Sequence, residues 1–410
     1  MTAKSIAVIV TIDTKEAETF FLHDFISSHG WNAIVLDVST RNPHSFAAAF
    51  PRDQVSLRGG VPFQELGTLR RDEIMRTMGL GAANILQELH AKGELGGVLA
   101  IGGNQGTAIA AIAMRALPTG VPKLIVSTVA SGNVRPYVEY KDITMMFSVA
   151  DLLGGANTVS RTILSNAAGA VMGMATYGLP MKAGNKPVIA TTAFGNTDAA
   201  VSAASKILVE QGFEVIPFHA SGACGSAMEE LIENGLIHGV LDLTTHELIG
   251  EVFGLDIYTP LRPRLEAAGK KGIPQVVVPG ALEYFCFGPP ESIPPSFRGR
   301  MTHYHNPYNT NVKATAEELT VVGRALAKKL NKSLGPVTVL IPAKGWSENG
   351  RLGGSLYDPV VDEALVNALE AALNPEIKLI KIDANINDPI FAETAAKTMQ
   401  ELMKQVYKTC

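Results

Sequence analysis

Near the amino terminus, a β-branched apolar run gives way to Thr11-Ile12-Asp13-Thr14-Lys15, two hydroxyls, a carboxylate and an ammonium within five positions. The helix-like segment EAETFFLHDFISSHG follows, and the first amides of a helix have no partner within it. A polar loop at that place suits an anion such as phosphate. It equally suits an ordinary cap, with Asp13 or Thr14 bonding the amides and Lys15 in solvent. A second loop, Gly102-Gly103-Asn104-Gln105-Gly106-Thr107, lies between GVLAI and AIAAIAMRAL. Its glycines permit a tight turn and close approach to a ligand, although it is neither a Walker sequence nor a strict G-x-G-x-x-G. A third, Ser127-Thr128-Val129-Ala130-Ser131-Gly132-Asn133, is rich in hydroxyls, and Asp151 closes the later stretch FSVAD. Taken together, these loops form a donor-rich concavity suited to an anion or nucleotide, with Asp151 placed to meet a cation or a ribose, or to cap a helix.

The second half of the chain offers titratable groups at corresponding places. Thr244-Thr245-His246-Glu247 stands where the first half has its glycine loop; His219 opens HASGACG, and Glu283 closes PGALE. His219, His246 and Glu283 are placed to converge as an acid–base group or a metal site, with Glu247 beside them. Downstream, FRGRMTHYHNPYNTNVKAT carries Arg298, Arg300, His303 and His305 in a segment too rich in Pro and Asn for regular structure. Two histidines two apart face the same way on an extended chain. They suit an anionic substrate better than a metal. Cys224 and Cys286 each have a nucleophilic reading beside a histidine, but a free cysteine is most often buried, and burial is expected for Cys286.

The elements positioning these loops repeat. A βαβ pattern from IAVIVT to WNAIVLDVS recurs from Pro187 as PVIATTAFGNTDAAVSAASKILVEQGFEVIPFHASG, with Gly30-Trp31 answered by Gly212-Phe213. GGVLAIGG is answered by HGVLDLTT, and VPKLIVST by IPQVVVPG, in the same order. Strands alternating with helices predict an α/β fold: two Rossmann-like, doubly wound, mainly parallel lobes related by internal duplication. The Pro/Gly/Lys-rich bridge LPMKAGNKP puts the boundary at 185, giving a nucleotide-binding lobe over 1–185 and a substrate lobe over 186–410. Beyond residue 335, PVTVLIPAKG and EIKLIKIDAN predict two more strands, with a helix between them.

Composition narrows the function. Hydrophobic residues make up 46% of the 410 positions and charged residues 18%, as in an ordered globular protein. A net charge of −4 without a basic stripe argues against nucleic acid as a partner. Cys224, Cys286 and Cys410 include no CxxC pair, which suits a reducing, cytoplasmic setting. No stretch reaches the roughly 18 apolar residues of a membrane span, and no signal segment is legible.

The blocks GVLAIGGNQGTAIAAIAMRALPTGVPKLIVSTVASGNVRPYV, DITMMFSVAD, SRTILSNAAGA, FHASGACGSAMEELIENG, GVLDLTTHE, GALEYFCFGP and HYHNPYNTNVKAT resemble the tomato mosaic virus resistance (Tm-one-like) ATP-binding family over essentially the whole chain. The resemblance implies two Rossmann-like subdomains, ATP in the first, and a homodimer or higher homo-oligomer. It implies nucleotide contacts from Thr11, Asp13, Thr14, Lys15, Gly102, Gly103, Gly106, Thr107, Ser127, Thr128, Ser131, Gly132 and Asn133. Mg²⁺ would accompany the nucleotide, with Asp13 and Asp151 as candidate ligands. The leading expectation is an ATP-dependent enzyme of unassigned reaction on a small anionic metabolite. Beside it stand a nucleotide-independent, metal-assisted lyase or hydrolase built on His219, His246, Glu247, Glu283, His303 and His305, and a non-catalytic ATP-responsive regulator.

Overall fold

Along β1 (Ser5–Val10), Ile6, Val8 and Val10 enter one apolar layer while Ala7 and Ile9 enter the other, and every residue of the strand is buried. A strand apolar on both faces belongs inside a parallel sheet covered by helices on each side. The computed structural model describes residues 5–153, 155–181 and 184–407; Cys410 lies outside them. Two units divide the chain, Met1–Met181 and Lys182–Cys410.

The first unit runs β1, α1 (Ile12–Ser28), β2 (Asn32–Asp37), α2 (Arg52–Arg58), α3 (Arg71–Ala91), β3 (Leu95–Gly102), α4 (Asn104–Arg115), β4 (Lys123–Ser127), α5 (Arg135–Val138), β5 (Thr144–Phe147) and α6 (Thr158–Tyr177). Its strands are ordered β2-β1-β3-β4-β5, all parallel. Helices α3 and α4 supply Met78, Ile85, Ile109 and Met114 to one layer, and α1 and α6 supply Leu22, Ile26, Leu164 and Val171 to the other. The order reverses between β1 and β3, the place where open α/β sheets leave a crevice for ligands.

The second unit runs β6 (Val188–Ala193), α7 (Asp198–Glu210), β7 (Glu214–His219), α8 (Ala223–Glu233), β8 (Gly239–Asp242), α9 (Glu247–Phe253), α10 (Ala267–Lys271), β9 (Gln275–Val277), β10 (Tyr284–Phe287), β11 (Thr302–Asn306), β12 (Asn309–Lys313), α11 (Ala316–Leu330), β13 (Val337–Pro342), α12 (Pro359–Ala372), β14 (Lys378–Ile382) and α13 (Pro389–Val406). Its parallel sheet is ordered β7-β6-β8-β9-β13-β14, so β6, β7, β8 and β9 repeat the places of β1, β2, β3 and β4. The duplication expected from sequence is thus present in the topology. The two strands anticipated beyond residue 335 are β13 and β14, which extend the sheet around α12.

One expectation is corrected. The Pro- and Asn-rich segment around His303 is regular: β11 and β12 form an antiparallel hairpin, and β12 also pairs with β10 in a three-stranded sheet. A tight turn at Pro307 and Tyr308 joins β11 to β12, with the Tyr308 amide donating to Asn306 Oδ1 at 2.8 Å. The asparagines that read as loop formers serve the turn and the rim of a cavity.

Candidate functional site

In the first unit the sheet register brings the polar loops to one edge. Val10 lies opposite Ile101, Gly102 opposite Ser127, and Ser127 opposite Phe147, so the segments after β1, β3, β4 and β5 all leave the same carboxyl edge. At the strand-order reversal a cavity of about 170 Å³ is lined by Thr11, Thr40, Arg41, Arg71 and Gln105, among others. Gly103 caps α4 without a side-chain hydrogen bond, and the first-turn amides that follow it have no intrahelical partner. Gly102 is dictated by packing, because a Cβ there would lie 2.8 Å from Gly106 Cα.

The residues implied in nucleotide contact occupy different environments. Thr107 and Ser127 are fully buried, their hydroxyls 2.6 Å apart, with Thr107 Oγ1 also donating to the Gly103 carbonyl at 2.8 Å. Asp13 receives the Arg41 amide on Oδ2 at 3.1 Å and donates its own amide to Ser39 Oγ at 3.0 Å. Thr14 Oγ1 is bonded to Thr11, and Lys15 Nζ donates to it at 3.2 Å. Lys15 breaks the helical backbone at φ −138° and is buried. Burial pulls its pKa down, against the fields of Glu18, Asp151 and Asp13. Thr128 is half-buried, whereas Ser131, Gly132, Asn133 and Asp151 are exposed. Arg41 and Arg71 escaped the sequence analysis because neither directly follows a strand.

In the second unit, β6 is followed by Phe194-Gly195-Asn196, which with His219, Tyr258, Tyr284, Cys286, His305, Asn309 and Asn311 lines a cavity of about 90 Å³. The ring of Phe194 lies 5.2 Å from that of His219 and 4.9 Å from that of His246. Asn196 donates to Tyr284 Oη at 2.7 Å and Asn309 to Tyr258 Oη at 2.9 Å. Their amide oxygens are buried without a hydrogen-bond partner. Buried polar atoms are nearly always paired, so two orphan acceptors in one cavity point to a ligand bearing donors. Burial lowers the pKa of His219, leaving it neutral near pH 7.

The remaining candidates separate from that cavity. Glu247 sits in an ionic cluster with Arg264, whose Nε, Nη1 and Nη2 reach Glu247, Glu229 and Asp242. Burial raises the pKa of Glu247 in spite of Arg264. Its Oε1 also takes the amide of Gly222, a residue at φ +81° where a Cβ would strike the Thr259 carbonyl. Glu283 is fully buried, accepts from Ser347 Oγ, and has a second oxygen without a partner. His303 faces Ser355 at 2.9 Å, and its ring lies 6.1 Å from that of His305. Arg300 pairs with Glu318, and Arg298 contributes nothing to the cavity's lining. Cys286 is buried as expected, yet forms part of the cavity wall. Asp256 and Arg264, neither of which stands at a strand end, join these loops through long-range contacts.

Two parallel α/β units with loops gathered at the carboxyl edges of their strands define a protein of Rossmann-like fold. Residues 4–180 match the N-terminal domain, and residues 186–403 the C-terminal domain, of the family described as "Uncharacterised protein family (UPF0261)", and the chain belongs to that family. A "UPF0261 protein" of Clostridium tetani is 41% identical over 404 residues, covering 98% of this chain and 100% of that protein. The "ToMV resistance protein Tm-1(GCR237)" of Solanum lycopersicum is 33% identical over 417 residues, covering 96% of this chain and 55% of the tomato protein. The resemblance read from the loops is therefore borne out as kinship. Among solved structures, UDP-GlcNAc 2-epimerase from Neisseria meningitidis matches 67% of this chain and 82% of its own at 12% identity and a TM-score of 0.21, too low to inform fold or ligand. Among the described residues, no helix is long and apolar enough to cross a membrane.

Proposed function

We propose that the chain is an ATP-binding protein whose first unit holds the nucleotide at the β1/β3 crevice, and whose second unit binds a small, hydroxyl-bearing anionic metabolite, the two serving one ATP-dependent reaction. The observation carrying the nucleotide assignment is the cavity that joins Arg41 and Arg71 to Thr11 and Gln105 at the strand-order reversal. Two guanidinium groups beside the uncapped start of α4 suit a polyphosphate. Mg²⁺ would arrive with the phosphates, with Asp13 and Asp151 as its protein oxygens. Lys15, in the field of both carboxylates, would balance their charge. A homodimer or larger homo-oligomer is part of the proposal, to be measured by light scattering.

Calorimetric titration of the full chain with ATP and Mg²⁺ tests the assignment. One site per chain is expected, weakened at least about tenfold by Arg71→Ala and abolished by Gly103→Arg. A Cβ at Gly103 meets nothing nearer than Thr128 Oγ1 at 3.6 Å, so the position has room for a side chain at the start of α4. Unchanged affinity in a folded Gly103→Arg protein would remove the site from this crevice.

A further inference from the structure

Three side chains that nucleotide binding leaves unused meet beside the second unit's cavity. A ring nitrogen of His246, a carboxylate oxygen of Asp256 and the Sγ of Cys286 lie within 4.8 Å of one another, and all three residues are buried. His246 Nδ1 is 2.6 Å from the Ala281 carbonyl. A carbonyl only accepts, so Nδ1 carries a proton, and Nε2 turns toward Asp256 Oδ2 at 3.1 Å, donating to that carboxylate in the metal-free site. Ala281 presents that carbonyl from a left-handed backbone, φ +56°. An imidazole anchored through its far nitrogen to a backbone carbonyl is the usual support of a metal-ligating histidine. Asp256 is held as firmly: Oδ1 accepts the Tyr258 amide at 2.7 Å and Oδ2 the Cys286 amide at 2.5 Å.

Two other uses of the trio account for it less fully. In a nucleophilic relay, the carboxylate orients one ring nitrogen while the other takes the thiol proton. Here the carbonyl occupies Nδ1, so Nε2 alone faces both Asp256 and Cys286. A simple His246–Asp256 ion pair leaves the sulfur only a weak hydrogen bond to Asn311 Oδ1. Nitrogen, oxygen and sulfur converging in threes is a donor set that suits Zn²⁺. Cys286 also lines the cavity, with Asn311 Oδ1 3.3 Å from its sulfur, so a cation held there would keep one face toward the ligand space. Among the described residues lining that cavity there is no Lys or Arg, and an anionic oxygen entering it would need a positive partner.

We propose that His246 Nε2, Asp256 Oδ2 and Cys286 Sγ bind one Zn²⁺ whose open position faces the cavity and takes an oxygen of the anionic metabolite. The metabolite oxygen rests on the substrate cavity proposed above; the zinc does not. On binding, the Cys286 thiol and His246 Nε2 each release a proton to solvent, so that sulfur ligates as thiolate and Nε2 through its lone pair, while the Nδ1 proton stays on Nδ1, donated to the Ala281 carbonyl.

The test uses the full chain stripped with chelator, then reloaded with Zn²⁺ or Co²⁺. One zinc per chain is expected by mass spectrometry of the metal, and the cobalt form should show thiolate-to-metal charge transfer. Cys286→Ala and Asp256→Asn should each lower zinc affinity at least about tenfold, whereas Cys224→Ala keeps it. Absence of stoichiometric zinc in the folded wild-type chain, or its retention in Cys286→Ala, would overturn the site. Should the variants fail to fold, a wild-type cobalt spectrum without charge transfer overturns it as well. ATP titration is read separately, so zinc without ATP binding refutes only the nucleotide proposal, and ATP binding without zinc refutes only this one.

Discussion

Arg264 Nη2 and Asp242 Oδ2 lie 3.0 Å apart in the interior of the second unit, where Asp242 is the last residue of β8 and Arg264 belongs to the segment before α10. The same guanidinium serves Glu229 and Glu247. Burial works against its charge, but the three carboxylates together hold it protonated, with its pKa raised. Removing one partner of a buried ionic group leaves uncompensated charge, at a cost of about 3–5 kcal/mol. Arg264→Met should therefore destabilise the second unit by about that much, read as a lower urea midpoint.

Gly225 makes room for this cluster, since a Cβ there would lie 1.9 Å from Glu247 Oε2. Gly225→Ala should cost about 1–3 kcal/mol by overpacking. Thermal unfolding that matches wild type would show that Glu247 moves aside freely.

In the first unit, the Thr107 and Ser127 hydroxyls are already consumed by each other and by the Gly103 carbonyl. Thr107→Val should cost about 1–3 kcal/mol of stability by leaving the buried Ser127 hydroxyl proton without an acceptor, yet change ATP affinity little. A large loss of affinity in a stable Thr107→Val protein would mean that the pair opens toward the nucleotide.

Asp362 carries a pH signature. Burial raises its pKa from 3.8 to about 7, against the pull of the Lys313 ammonium. Between those values the unfolded chain has released the proton and the folded chain keeps it, so stability falls as pH rises from about 4 to about 7 and then levels. Asp362→Asn should flatten the pH dependence of the urea midpoint over that window. An unchanged slope would assign it to another group.

Much of this was legible in sequence because it is local. Continuous apolar runs such as Ile6–Val10 and the repeated Gly-aromatic corners fix strand, helix and duplication. The positions immediately after strands are read off as soon as the strands are. The β11–β12 hairpin was not legible, because Asn306, Asn309 and Asn311 have loop propensity; Asn306 pairs with Asn309 across the hairpin, and Asn311 is fixed between His303 of β11 and Cys286 of β10. Arg264, Asp256 and Arg71 were equally silent, since each acts across a sequence separation that no local pattern records: Arg264 reaches Glu229, 35 positions away, and Asp256 reaches Cys286, 30 positions away. Glu283 and Glu247 were selected by position, but their roles depend on burial, which sends each to a separate network.

The cavity histidines give a further outcome. His219 is neutral near pH 7 and lines the same space as His305 and the orphan amide oxygens of Asn196 and Asn309. His219→Ala should weaken metabolite binding while leaving ATP titration unchanged. Equal loss of both would contradict separate sites.

The most direct measurement is a crystal structure of the full chain with a non-hydrolysable ATP analogue and Mg²⁺. Triphosphate density between the ends of β1 and β3, against Arg41, Arg71 and the start of α4, is the predicted result. Nucleotide density in the second unit's cavity, or none at saturating analogue, would contradict it.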